Sequence, residues 1–444
     1  MAQASRKRAG SSTTRRRHAC AAAGAAAAVV LLAACGSGGG DGGTAAGKVV
    51  WSTWGSPEEL TRFTEFNEKF MAEHEGVSVE LQPVAGYGDY HSKLLAQLTS
   101  GTAPDVFYIG DDRLGEFVAA GVLMPLSDRM ASDASQTAVE DFMPGTFGAA
   151  MSEDGEVYAA PNDVNPDALW YDKEALAAAG ITEDPATLAE NDEWTTEKFL
   201  EMNDRLAAAG LVGSMYWNYF GTHWSWVSAQ GGTAYAEDGS FVGNTDPVTV
   251  DAVQTFADYM QDGTFVVADT LPEGAGADSM FVTHQAGFFA QGRYTIGTLR
   301  EAGVEESYDI VRWPTPDGTA APTAVAASYL AVNATSDNPD DAFAFWTAFL
   351  SPEGQTFRLE GGGNAVPSIQ GADDVVLEDG YPDHAQTFLD MREIGFANYA
   401  AESTVPGLSS DINDAMLDLY QGAGGTAQET LDKVAGLVAD ATEG

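Results

Sequence analysis

Two incompatible hydrophobic periods alternate from the start of the folded body, and that alternation most narrows the fold. Lys48 to Thr53 is a short apolar stretch of strand type. Ser56-Pro57-Glu58-Glu59 then reads as a helix start, with Ser as N-cap, Pro at the first helical position and Glu closing a capping box. Leu60, Phe63, Phe66 and Phe70 follow at helical spacing, and Gly76 stands where a C-terminal cap belongs. Val77, Val79 and Leu81 alternate as a strand, and a helix through Leu94, Leu95 and Leu98 leads to the buried-type strand Val106 to Ile109. Strand, helix, strand at this rhythm predicts βαβ units and a parallel sheet, hence an α/β fold. Further on, Asn338-Pro339-Asp340-Asp341 opens a helix with Phe343, Phe345, Trp346 and Phe349 as core, and Thr426 to Glu429 forms a second capping box. A body of about 400 residues exceeds one typical core, so two lobes are expected.

Ahead of this body the composition is different. Arg6, Lys7, Arg8, Arg15, Arg16 and Arg17 precede an Ala-rich apolar run from Ala19 to Ala34 that is too short to span a membrane. The run ends Leu32-Ala33-Ala34-Cys35 and is followed by a Gly-rich stretch, the pattern of a lipoprotein export signal over 1–34. Cys35 is then the lipidated first residue, and 35–47 a flexible tether. Thr14-Arg15-Arg16-Arg17 leaves the twin-arginine and general export routes both open. Cys20 has no apolar run before it and receives no role. The expected location is the extracellular face of the cell membrane, with contact through the lipid alone.

Removing the signal sharpens the charge. The full chain carries 21 Lys+Arg against 66 Asp+Glu, and all six basic residues named above, but no acidic one, lie before Cys35. A chain beginning at Cys35 has 15 basic and 66 acidic residues, a net of −51. Bulk attraction to nucleic acid or anionic lipid is thereby excluded. With no cysteine beyond Cys35, thiolate catalysis, Cys-based zinc sites and body disulfides are excluded too. No two of the six His have metal-ligand spacing, and no P-loop, dinucleotide fingerprint, nucleophile elbow or calcium loop is present. Neither a metal nor a cofactor is expected, nor an enzyme, although a carboxylate pair for glycoside hydrolysis stays open among 66 acids.

All nine Trp lie in the body. Tyr216 to Trp224 is dense in aromatics and shows no clean period, as does the setting of Trp313. Such loops offer flat apolar faces beside hydrogen-bonding groups, which suits a sugar ring, or they are packing loops with satisfied indoles.

Five ordered blocks carry a resemblance. They are Ser100-Gly101-Thr102-Ala103-Pro104-Asp105-Val106 with Asp112 to Phe117 and Gly121 to Leu126; Gly155 to Pro161 with Leu169 to Lys173; Trp194 to Phe199; Phe281 to Phe288; and Pro352 to Gln355. Together they resemble the extracellular solute-binding proteins serving carbohydrate ATP-binding-cassette importers, across essentially all of residues 48–440. The resemblance implies a periplasmic-binding-protein-like fold of two α/β lobes with ligand held in the cleft between them. Its boundaries are expected at 48–160 plus 278–325 for lobe one and 161–277 plus 326–444 for lobe two. Pro314 and Pro316 suit a strand exit on the hinge side.

Site residues follow by position. Asp112 and Arg113 stand where maltodextrin-binding relatives hold sugar hydroxyls, Asp accepting and Arg donating. Asn165 takes the place of a carboxylate in those relatives, Trp224 matches a Trp ahead of Gly231-Gly232, and Tyr294 falls where a Trp stacks on sugar. Trp54, Tyr219, Trp313 and Asn364 complete the ligand-binding candidates. A further stacking Trp expected near 406–413 is absent, which leaves the sugar unnamed. The implied function is capture of a mono- or oligosaccharide by lobe closure and its delivery, as a monomer, to membrane permeases of an importer. A cell-surface carbohydrate-active enzyme and a binder of a non-sugar solute such as glycerol phosphate are the alternatives.

The charge itself predicts a response to salt. Added NaCl screens self-repulsion among the acidic residues, so the melting temperature should rise from low to molar salt; a flat profile by calorimetry would contradict this.

Overall fold

The protein is described from a computed structural model, covering residues 47–84, 87–152, 154–272, 276–361 and 363–442. The signal, Cys35 and the tether through residue 46 lie outside the described residues. Two five-stranded sheets organise the body.

The first sheet has strand order β2-β1-β3-β10-β4, from β1 (Lys48–Thr53), β2 (Ser78–Pro83), β3 (Val106–Gly110), β4 (Ala159–Pro166) and β10 (Val325–Val332). β1 runs parallel to β2 and β3, joined by helices α1 (Pro57–Glu73) and α2 (Tyr87–Ser100), as the alternating periods predicted. β10 enters antiparallel between β3 and β4. The second sheet has order β7-β6-β8-β5-β9, from β5 (Ala168–Asp172), β6 (Val212–Tyr216), β7 (Phe265–Val267), β8 (Ala286–Gln291) and β9 (Tyr308–Val311).

Helix starts follow local chemistry. The Ser56 backbone N–H donates to Glu59 Oε2 at 2.8 Å and the Glu59 N–H to Ser56 Oγ at 3.3 Å, the reciprocal box read from sequence. Thr426 and Glu429 repeat it ahead of the last helix. The remaining helices used below are α3 (Leu114–Ala119), α4 (Thr196–Ala208), α5 (Phe220–Ala229), α6 (Pro247–Gln261), α7 (Pro339–Leu350), α8 (Pro352–Leu359), α9 (Ala400–Thr404), α10 (Leu408–Tyr420) and α11 (Ala427–Thr442).

Each sheet has its own core. Trp51 sits among Phe63, Tyr108, Phe345 and Phe349 at ring-centroid distances of 5.1–6.0 Å, so α1 and α7 close over the first sheet. Phe199 of α4 and Phe256 of α6 meet Phe265, Phe288 and Trp226 over the second. The chain passes between the sheets at Asp167, again between β9 and β10, and a third time after α8.

The expected lobe boundaries need correction. Strands β8 and β9, inside 278–325, are hydrogen-bonded to β5 and β6 and belong to the second sheet. Residues 326–332, assigned to lobe two, are β10 of the first. The Pro-rich crossing at 313–323 comes after β9, so the chain returns to the first sheet some 40 residues later than expected. α7 and α8 also pack on the first core, whereas α10 and α11 pack on the second.

Ser56→Ala removes the N-cap of α1. It should lower unfolding free energy by about 1 kcal/mol, read as a lower urea midpoint at unchanged slope.

Candidate functional site

The groove residues assemble around the first crossing. β4 ends at Pro166 and β5 begins at Ala168, so Asp167 alone separates strands of different sheets. Its backbone carbonyl accepts the Trp313 indole N–H at 2.7 Å, and its carboxylate accepts the Tyr219 hydroxyl. Asn165, two residues earlier, accepts the Arg293 backbone N–H on its amide oxygen at 3.0 Å. The same turn is held from its other side by the Trp170 indole, which donates to the Gly292 carbonyl at 3.1 Å. Glycine is needed at 292, because a Cβ would fall 2.6 Å from Asn165 Oδ1 and 2.7 Å from the Tyr294 ring. The turn thereby delivers Tyr294, 38% exposed, beside Asp167.

Arg293 fixes this turn from within. Fully buried, its guanidinium donates to the carbonyls of Gly363, Ala365 and Val375, and burial lowers its pKa to about 10. That staple also positions Asn364, whose amide donates to Glu59 Oε1 on α1. Arg358, likewise buried, lies 3.9 Å above the Phe349 ring and donates to the carbonyls of Phe349 and Asn162. Arg293 acts on the protein's own backbone, and Arg358 on backbone and, with Nη1 4.0 Å from Asp163 Oδ2, on a buried carboxylate.

On the first-sheet side, β3 runs into Asp111-Asp112-Arg113, with Arg113 as the N-cap of α3. Arg113 Nε lies 3.4 Å from Asp112 Oδ2, and both side chains are part-exposed. The sequence-based pairing of these two therefore holds, without full burial. Trp54 lies against Tyr90, His91 and Tyr108 at 5.1–5.5 Å and is half-buried. Tyr219 is the N-cap of α5, beside Asn218, whose amide donates to the Asn413 carbonyl of α10 at 3.0 Å.

Two candidates are core residues instead. Trp224 is 1% exposed with its indole N–H on Glu402 Oε1 at 2.7 Å, and Trp313 is 2% exposed. The segment 216–224 is not an irregular loop but the end of β6 followed by α5. All residues of α5 except Ser228 are buried, so the helix has no polar face and shows no period in sequence. Trp226 belongs to the same core, with its N–H on the Ala252 carbonyl; Trp217 is half-buried against Phe289 at 5.7 Å.

Sequence reasoning missed the carboxylates. Burial pushes Asp111 up to about 8, with the charges of Asp112 and Asp167 adding, against backbone hydrogen bonds from Ala327 and Asp112 that lower it. Burial alone pushes Asp167 up to about 7. Asp163 is also raised by burial, although Arg358 and Ser328 oppose the shift. An Asp between two strands has no local signature; only the crossing makes it a groove residue. A separate hollow of about 300 Å³ beside Ile310, Arg312 and His384 contains none of these residues. Among the described residues no helix is long and apolar enough to cross a membrane, and no three His, Cys, Asp or Glu converge as a metal site.

The arrangement is a cluster of buried carboxylates, Asp111, Asp163 and Asp167, with the Tyr294 ring and the Asp112–Arg113 pair beside it, where the chain crosses between the two sheets. The chain belongs to the bacterial extracellular solute-binding protein family, whose model matches residues 54–356. An ABC substrate-binding protein from Listeria monocytogenes in complex with cycloalternan superposes with a TM-score of 0.77 at 18% identity, covering 89% of this chain and 99% of that one. The maltotriose-binding protein of Pyrococcus abyssi is 24% identical over 59% of this chain and 52% of its own length. An sn-glycerol-3-phosphate-binding periplasmic protein from Rhizobium meliloti is 23% identical over 59% of each. The chain thus spans a little over half the length of these curated relatives. The two-lobed periplasmic-binding-protein-like fold expected from sequence is the one observed.

The raised carboxylates give a pH dependence. For Asp111 and Asp167 the folded pKa exceeds the unfolded value near 3.8, so the folded form binds protons more tightly and stability falls as pH rises through that window. The ligand-free melting temperature should decline between about pH 4 and 8, and Asp167→Asn should reduce that decline in a calorimetric pH series.

Proposed function

We propose that this protein captures an uncharged saccharide in the groove and presents it to the permease subunits of an ATP-binding-cassette importer. One observation carries the reading. Tyr294 is the aromatic among the large apolar side chains that the described residues leave exposed, and it stands beside Asp167. A ring face next to carboxylate acceptors matches a sugar, which offers a C–H face and hydroxyl donors together. Asp112, Arg113, Asn165, Tyr219, Trp54 and Asn364 supply the polar and apolar edges. Trp224 and Trp313 act behind them as positioning residues.

Membership of an extracellular family supports export, and the reading extends to a lipid anchor on Cys35 and a monomer that binds without catalysis. The likeness to a glycerol-phosphate binder motivates the rival solute. The site opposes it: a phosphate would meet Asp111, Asp112, Asp163 and Asp167, with Arg113 already beside Asp112, Arg293 donating to backbone carbonyls and Arg358 buried against Asp163 and the Asn162 carbonyl.

Calorimetric titration separates the two. Glucose, maltose, maltotriose, trehalose and glycerol 3-phosphate should give binding to at least one saccharide with a dissociation constant on the order of micromolar, about −8 kcal/mol. Tyr294→Ala should weaken it about tenfold. Heat with glycerol 3-phosphate and none with any sugar would overturn the proposal.

A further inference from the structure

Helix α9 does something that neither the fold nor the groove chemistry requires. It is short, and it touches both layers. On the first-sheet side it rests on α3 and on the 3-10 turn at Gly148–Ala150. The contact with α3 is backbone to backbone: a Cβ on Gly115 would overlap the Ser403 carbonyl oxygen and the Thr404 Cα. On the second-sheet side, Glu402 is 1% exposed, and its Oε1 accepts both the Trp224 indole N–H at 2.7 Å and the Tyr235 hydroxyl at 2.8 Å. Tyr399, just before α9, lies against Tyr235 with ring centroids 4.4 Å apart.

The two helices that α9 joins are those that begin at groove residues. Arg113 is the N-cap of α3, and Gly115 follows two positions later. Tyr219 is the N-cap of α5, and Trp224 follows one turn further on. The turn at Gly148–Ala150 borders Tyr329, whose hydroxyl donates to the Thr146 carbonyl at 2.8 Å beside Asp111. We infer that α9 is a specificity-determining wall: it ties the helix behind Arg113 to the helix behind Tyr219 and closes the groove on that side. A saccharide held between Arg113 and Tyr219 then has no path past them, so the site takes short chains and rejects longer ones. The inference rests on the saccharide reading for its ligand, but the tie between the lobes does not.

Gly115 is the place to test it. In a free helix Gly→Ala or Gly→Val would not open anything, because both favour or tolerate helical backbone; here the added carbons meet the α9 backbone. Gly436→Ala in α11, where an added carbon meets nothing, is the matched control. The full chain and its Gly115→Val form would be compared by small-angle scattering without ligand and by titration with malto-oligosaccharides of one to five units. The expected result is a larger radius of gyration for Gly115→Val. In the wild type, affinity should drop at least about tenfold between two units and four, narrowing to about threefold or less in the variant. Gly436→Ala should match the wild type in both. Gly115→Ala provides the milder form if circular dichroism shows that the valine protein does not fold. An unchanged radius in the Gly115 variants, or a wild type that binds five units as tightly as two, would overturn the inference. If the wild type takes no sugar of any length, the saccharide proposal fails, and the scattering comparison alone decides the tie.

Discussion

The groove depends on a hydrogen bond at a place with almost no chain to spare. Asp167 is the only residue between a strand of one sheet and a strand of the other, and its carbonyl would be buried and unpaired without the Trp313 indole. An unsatisfied buried carbonyl costs about 1–3 kcal/mol, so Trp313 fixes the crossing rather than merely filling space. Trp313 itself lies at the start of the second crossing, just after β9, which bonds one passage between the sheets to the other. With the Asp167 backbone held, the Tyr219 hydroxyl bonds its carboxylate and orients it. Asn165, the Gly292 turn and Tyr294 are then placed by bonds that all begin within three residues of this point.

Desolvation, not charge repulsion, is the dominant effect on the groove acids. For Asp167 burial is the whole cause of the raised pKa, and for Asp111 it is the largest, with the neighbouring carboxylates adding less. The net charge of the chain therefore says little about the site, because exposed charges beyond a Debye length of about 8 Å are screened while these groups are not. Each of these acids already accepts at least one hydrogen bond from the protein, yet burial still leaves Asp111, Asp163 and Asp167 short of the donors water would supply. A polyhydroxylated neutral molecule brings donors without bringing charge, and so relieves the desolvation that an empty or anion-filled groove would leave in place.

The parts legible in the sequence were those whose signal is local. Ser56 and Glu59 lie three residues apart and specify the start of α1 by themselves; the strands around α1 and α2 carry their period in five or six residues. The position of β10 was not legible, since its partners in β3 and β4 are more than 150 residues away and nothing near Val325 encodes them. That is why 278–325 was expected in the wrong layer. Trp224 was misread for the opposite reason: a helix buried on every face erases its own period. Asp112, Arg113 and Tyr294 were singled out through resemblance and lie close to Asp111 and Asp167, which had no motif to announce them.

The distribution of tryptophan shows how the chain separates scaffold from site. Trp170, Trp194, Trp226, Trp313 and Trp346 each donate the indole N–H to a backbone carbonyl at 2.7–3.1 Å while their rings lie in a core. A Trp used this way satisfies a backbone carbonyl and fills about 200 Å² of apolar surface at once, as the buried Tyr90, Tyr308 and Tyr329 do with their hydroxyls. Trp51 donates instead to the buried Asn67 side chain, and Trp224 to Glu402. Trp170, Trp194 and Trp313 use this bond to hold turns and crossings, while Trp226 and Trp346 use it inside a helix and a strand. The ligand-facing role falls to a few rings at the ends of those held segments, and Tyr294 is exposed because the turn that carries it is pinned on three sides by groups that are not.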